Sequence, residues 1–227
     1  MGALSDTPRM PPEEAGEAAY RYGVVFAIVL AVVVVTILSG DGDASRALSF
    51  ALVGLALMVA VTTAREPSAV RRRRRVVSIT ATVLITLGIA VGFVRRDATF
   101  ALTALVTLAI PVTLGRGLLR LVRERGATLQ AVAGALAIYL LIGLAFASAV
   151  GFVAAIESTP YFAQGTSGSV SDDVYYSFTV MTTTGLGDFT AAHHVGRALA
   201  VIEMLIGQLY LVTVIGILIG RRVGRDQ

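Results

Sequence analysis

The sequence predicts an all-α membrane protein of six spans, with a short re-entrant helix and an irregular Thr- and Gly-rich strand between the fifth and the sixth. Three observations predict it. The 227 residues are 56% hydrophobic, with a mean hydropathy of +0.78, against the roughly 45–50% apolar content of an ordinary soluble chain. The excess is gathered into runs near the length of about 20 residues that a hydrocarbon core demands. Between the last two runs lies SFTVMTTTGLGD, Ser177 through Asp188, which is too short and too irregular to cross as a helix.

The elements follow in chain order. Residues 1–19 carry four acids with Pro8, Pro11 and Pro12, and read as a polar cytoplasmic segment. They lack the basic n-region and cleavage site of a signal peptide. Spans over 21–39, 46–64, 76–94 and 98–115 form a peripheral four-helix region, 20–115. The fourth holds no charge, whereas a voltage-sensing helix needs an arginine about every third residue inside the membrane. No regular voltage sensor is expected, and Pro111 is expected to kink this helix. Over 116–128, Arg116, Arg120 and Arg123 share a face beside Leu118, Leu119, Leu121 and Val122, which predicts an amphipathic linker along the inner surface. The fifth span, 129–156, is punctuated by Ala133, Gly134, Ala137, Gly143, Ala147 and Gly151, small residues that let other helices approach. An outer turret covers 157–171. Ser171 then reads as the N-cap of a short helix over about 172–182, with Asp172 and Asp173 in its first turn. The sixth span covers 196–219 and a short cytoplasmic tail 221–227.

Charge placement sets the orientation. With the N-terminus inside, 15 arginines lie on the cytoplasmic side and 4 outside (Arg46, Arg95, Arg96 and Arg197), the bias that cytoplasmic loops show. Both termini are therefore expected in the cytoplasm of a multi-pass cell-membrane protein, with Asp188 outside. The run Arg71, Arg72, Arg73, Arg74 and Arg75 flanks a span, so it reads as an anchor on anionic lipid, not as a nucleic-acid site. All 19 basic residues are arginine, a usage that points to a GC-rich bacterial genome. Cysteine is absent, which excludes disulfides and thiol chemistry.

Irregular backbone at membrane depth is tolerated only where protein buries it or where it lines a wet path. Stripping water from a cation requires a substitute shell of oxygens, and closely spaced backbone carbonyls supply one. Aiming successive carbonyls at one axis requires alternation between ordinary and positive-φ backbone, which glycine adopts freely. Gly185 and Gly187 alternate with Thr184 and Leu186 to provide it. Thr183 adds a hydroxyl at the inner end and Asp188 a carboxylate at the outer mouth. The short helix would aim its negative end at the inner side of this row, which favours a cation.

The stretch from Tyr175-Tyr176-Ser177 to Asp188 resembles the pore helix and signature, T-x-G-Y-G-D, of tetrameric potassium channels. The resemblance covers about 129–222 and is absent from the first four spans. It implies a pore domain over 129–220 and K⁺ held by oxygens of Thr183, Thr184, Gly185 and Leu186, with Gly187 as the hinge at the top. Tyr175, Tyr176, Thr179, Thr182 and Asp188 would support the filter and its mouth. Leu186 stands where the family has an aromatic, and Thr179 where some members carry a carboxylate paired with the mouth aspartate. A non-selective monovalent cation channel is the alternative within the class. A non-conducting scaffold or regulatory subunit is the alternative outside it. One chain offers one filter strand, so a closed ring implies a homotetramer of C4 symmetry.

The segment GRALAVIEMLIGQLYL resembles the inner helix of small prokaryotic potassium channels, which makes Gly207 the hinge position. The other reading of Gly207 is close helix packing. Glu203, an ionisable group within a span, reads as a brace behind the filter or as a proton sensor, bonded to Thr179, Thr182, Thr183 or Gln208. The gate is expected near 215–220 or in the filter itself. Only seven residues follow Gly220, so no calcium- or nucleotide-binding domain is expected in this chain. His193 and His194 fall outside the mouth, where external acid would add charge. No cofactor beyond K⁺ is expected. Gly165-Thr166-Ser167-Gly168 matches the G-x-S-G of rhomboid-type intramembrane proteases, but that family places the serine at the start of a span. Ser167 lies in the turret and the histidines outside any helix, so an enzyme is not expected.

Overall fold

The computed structural model describes residues 12–39, 42–63, 68–126 and 128–216. Among the described residues seven α-helices follow one another: α1 (Pro12–Leu38), α2 (Asp43–Thr63), α3 (Ser68–Ala90), α4 (Arg96–Arg125), α5 (Leu129–Ile156), α6 (Val170–Met181) and α7 (His194–Tyr210). α7 continues into a π-helical turn, Leu211–Ile215. Among the described residues the only ladder contact is a single antiparallel bridge, Phe162 to Ala191. Among the described residues, three helices are long and apolar enough to cross a membrane: Arg96–Arg123, Leu129–Ile156 and His194–Val214. The apolar stretches of the first three helices, Tyr22–Leu38, Ala44–Val59 and Ile79–Ala90, are shorter.

Several boundaries differ from those read in the sequence. α1 begins at Pro12, because proline at the first helical position loses no needed N–H and has its φ already set. α3 begins at Ser68, so the five-arginine run lies inside its first turns. The side chains of Arg71 to Arg75 lie outside the described residues, as do the N-terminal segment before Pro12 and the tail with the expected gate beyond Gly216. The separate linker expected over 116–128 does not exist as an element. α4 runs unbroken to Arg125, with Pro111 inside it, and ends at Gly126, whose φ of 75° suits a chain reversal. At 1.5 Å per residue, its 30 residues span about 45 Å, longer than the hydrocarbon. Gly115 and Gly117 each cost about 1 kcal/mol against alanine, too little to stop a helix of this length.

α5 is the central post. It packs against α1, α4, α6 and α7, and its small residues are where neighbours come close. A Cβ on Gly134 would strike Tyr22 of α1, one on Gly143 would strike Met181 and Phe178 of α6, and one on Gly151 would strike Phe100 of α4. α1 presents Tyr22, Val25, Val29, Val32, Val33 and Thr36 as one buried stripe at helical spacing. That stripe meets Ile110, Leu114, Ala137, Ile138 and Leu141 in the main core. In lipid such packing gains mainly dispersion, because leaving hydrocarbon for protein removes no water. A Thr36–Ser49 hydroxyl contact of 3.2 Å ties α1 to α2.

Candidate functional site

α6 starts where the sequence offers a reciprocal cap. Ser169 Oγ accepts from the Asp172 N–H at 3.0 Å, and Asp172 Oδ2 accepts from the Ser169 N–H at 2.8 Å. This capping box corrects the expected cap at Ser171, and the helix runs over Val170–Met181 in place of 172–182. Ser and Asp three residues apart close the box; Ser171 beside Asp172 cannot. Ser171 Oγ instead donates to the Ile37 carbonyl at the end of α1, at 2.8 Å. Arg96, at the start of α4, donates to the Gly168 carbonyl at 3.1 Å. The peripheral helices thus hold α6 at its N-terminal end.

At the other end, the chain leaves α6 with its N–H groups turned back. Those of Thr182, Thr183, Thr184 and Gly185 donate to the carbonyls of Phe178, Val180, Thr179 and Thr179, at 2.9–3.1 Å. Among the described residues, the carbonyls of Thr183, Thr184, Gly185, Leu186 and Gly187 accept no hydrogen bond. Positive φ recurs at every second residue: Thr183 (57°), Gly185 (50°) and Gly187 (83°). The glycines were legible in the sequence. Thr183 was not, because a β-branched residue avoids left-handed backbone, and such strain marks functional segments. In the single chain this whole segment is exposed, with Leu186 at 65%.

The outer side is braced by aromatic rings. Tyr175 Oη donates to Asp188 Oδ2 at 2.7 Å. Phe162 packs edge-on to Tyr176 and to Phe189, with centroids 5.1 and 4.9 Å apart, and Tyr161 packs edge-on to Tyr176 at 6.1 Å. The turret strand pairs with the strand that follows Asp188, through Ala163 N–H to the Thr190 carbonyl (2.8 Å) and Ala192 N–H to the Tyr161 carbonyl (2.9 Å). Tyr161, Phe162 and Phe189 were missed in the sequence; the signal was an aromatic pair after Pro160 in a stretch otherwise rich in Ser, Thr and Gly. His193 precedes α7 without a side-chain cap bond, its Nε2 lying 2.9 Å from the Pro160 carbonyl and 3.0 Å from Thr159 Oγ. His194 opens α7, one residue inside a helix expected to start later.

Behind the segment, α7 turns Gly196, Ala200, Glu203 and Gly207 inward. Glu203 is fully buried, and its Oε1 accepts from the Ser177 hydroxyl of α6. Ser177 Oγ also lies 2.8 Å from the Gly143 carbonyl of α5, so three helices meet at one side chain. None of the partners expected for Glu203 is the one observed. Thr179 Oγ donates to the Tyr176 carbonyl (2.8 Å) and Thr182 Oγ to that of Phe178 (2.6 Å), each the nearer acceptor within its own helix. Gln208 Nε2 reaches Thr183 Oγ at 3.3 Å. Gly207 is where α7 touches the end of α6, for a Cβ there would sit 2.5 Å from the Met181 carbonyl oxygen. Gln208, Thr182, Thr183 and Thr184 therefore share one neighbourhood and Glu203 another with Ser177, whereas Ser167 and the histidines stay on the turret side.

Chemically, the segment is a row of unclaimed carbonyls and threonine hydroxyls with a carboxylate at one end and no nucleophile–base pair. Among the described residues no group of three His, Asp or Glu side chains is placed to hold a metal ion. Residues 135–221 match a family described as ion channel. No curated protein and no solved structure matches the chain.

Proposed function

From the match of residues 135–221 to a family described as ion channel, we propose that the protein is a cation channel, selective for potassium, conducting through residues 183–188. The observation that carries this is the alternation of positive φ at Thr183, Gly185 and Gly187 on a strand whose carbonyls accept no hydrogen bond. Carbonyls left bare at membrane depth cost several kcal/mol each, unless they exchange that loss for a dehydrated cation. K⁺ would be held by oxygens of Thr183, Thr184, Gly185 and Leu186. Asp188 would draw cations to the mouth, and Tyr175 fixes its position.

A single strand encloses nothing. The exposed segment and the apolar face of α7, with Val201, Leu205, Leu209 and Val212 each at least half exposed, support a homotetramer about a central axis. Six spans, both termini in the cytoplasm of the cell membrane and peripheral helices without a regular voltage sensor complete the reading, with the gate at the inner end of α7. Leu186, lacking the ring and hydroxyl of an aromatic cuff, favours one second reading, a filter that passes Na⁺ as well. Reconstituted protein is expected to pass cations into liposomes, and Gly185→Ala to abolish that flux while the mutant still runs as a tetramer by native mass. Flux surviving in Gly185→Ala would refute conduction through this segment.

A further inference from the structure

The inner half of the pore-lining helix must move if the channel gates there, and where it bends is set by where it is held. Among the described residues, four attachments hold the middle of α7, and all fall before residue 211. Glu203 is bonded to Ser177. Gly207 abuts the Met181 backbone, so a bend there has to tear that contact. Gln208 reaches Thr183. Tyr210 Oη donates to the Ala135 carbonyl of α5 at 2.7 Å, with its ring 5.9 Å from that of Tyr139. At the next residue the regular helix gives way to the π-turn Leu211–Ile215. A π-turn replaces the i→i−4 ladder with looser bonds and marks sites of movement. Thr213 Oγ bonds the Leu209 carbonyl, an acceptor at the point where the ladder changes. Among the described residues beyond Tyr210, the contact with the main core is Val214, which is apolar and has no directional bond to break.

We propose that α7 bends at Leu211–Ile215 and not at Gly207, with the Tyr210 hydroxyl as the latch that divides the fixed outer half from the moving inner half. The proposal rests on the channel reading above and names the regulation of that same site. Hinges sit at the boundary between a held and a free element, and among the described residues the attachments of α7 through directional bonds to its neighbours end at Tyr210. Gly207 is flanked by attachments on both sides and serves close packing.

The test has two arms. Amide hydrogen exchange on the full-length protein in nanodiscs is expected to show a step after Tyr210, with 211–216 exchanging at least about tenfold faster than 203–210. In planar bilayers, Tyr210→Phe is expected to shift the open-to-closed ratio by about three- to tenfold, the range for one lost hydrogen bond, with the reversal potential unchanged. Even protection through residue 216, or a step at Gly207, overturns the proposed bend, and an unaltered open-to-closed ratio in Tyr210→Phe overturns the latch. A step after Tyr210 in wild-type protein that passes no ions upholds the break in the helix and refutes the channel reading instead.

Discussion

A carboxyl buried among helices is costly unless its oxygens are matched, and at Glu203 Ser177 matches Oε1 while Oε2 has no hydrogen-bond partner among the described residues. Removing one partner of a buried polar pair costs about 1–3 kcal/mol, more when the group left behind is charged. Ser177→Ala is therefore expected to lower the thermal stability of the assembled protein by about that amount, read by scanning fluorimetry. Glu203→Gln keeps an oxygen that can accept from the Ser177 hydroxyl and is expected to retain stability and flux; equal damage from both variants would contradict the brace. At Gly207 an added methyl meets backbone at 2.5 Å. Overpacking costs about 1–3 kcal/mol and outweighs the ~1 kcal/mol of helix propensity gained, so Gly207→Ala is expected to destabilise. A stabilised variant would show that α7 stands clear of Met181. Glycines were readable at this scale because only they suit positive φ or close approach. Ser177 was not: a small hydroxyl between Tyr176 and Phe178 carries no sign of the carboxyl it meets 26 residues later.

Among elements, α6 decides most, because one end is gripped by the peripheral helices and the other runs into the candidate filter. Its box makes a separable prediction. Ser169→Ala removes a cap worth about 0.5–2 kcal/mol and is expected to raise amide exchange over 170–173, whereas Ser171→Ala breaks only the bond to Ile37 and leaves that turn protected. The reverse pattern would restore Ser171 as the cap. How far the elements were legible follows from what each signal measures. α5 occupies 129–156, the bounds of its hydropathy run, because Thr128 caps it and Glu157 ends it in extended backbone. The fourth helix outran its apolar run because hydropathy marks where lipid suits a helix, not where backbone hydrogen bonds stop. The π-turn was invisible, since Leu-Val-Thr-Val-Ile has the same apolar pattern in either ladder.

For the whole molecule, the single chain leaves two things that hydrocarbon does not readily cover: bare carbonyls over 183–187 and the strained backbone that presents them. The proposed tetramer, with four copies turning these segments to a common axis, would account for both. That proposal rests in the sequence on TTTGLGD, whereas the way α1 and α4 grip the start of α6 depends on contacts more than 70 residues apart in the chain, Ser171 with Ile37 and Arg96 with Gly168. Purified protein in liposomes, with K⁺ and Na⁺ in opposed gradients, tests the central claim most directly. The account predicts a current that reverses near the potassium equilibrium potential. Reversal near zero would leave a channel that does not select, with Leu186 the first residue to examine. The absence of any cation current from a verified tetramer would contradict the account itself.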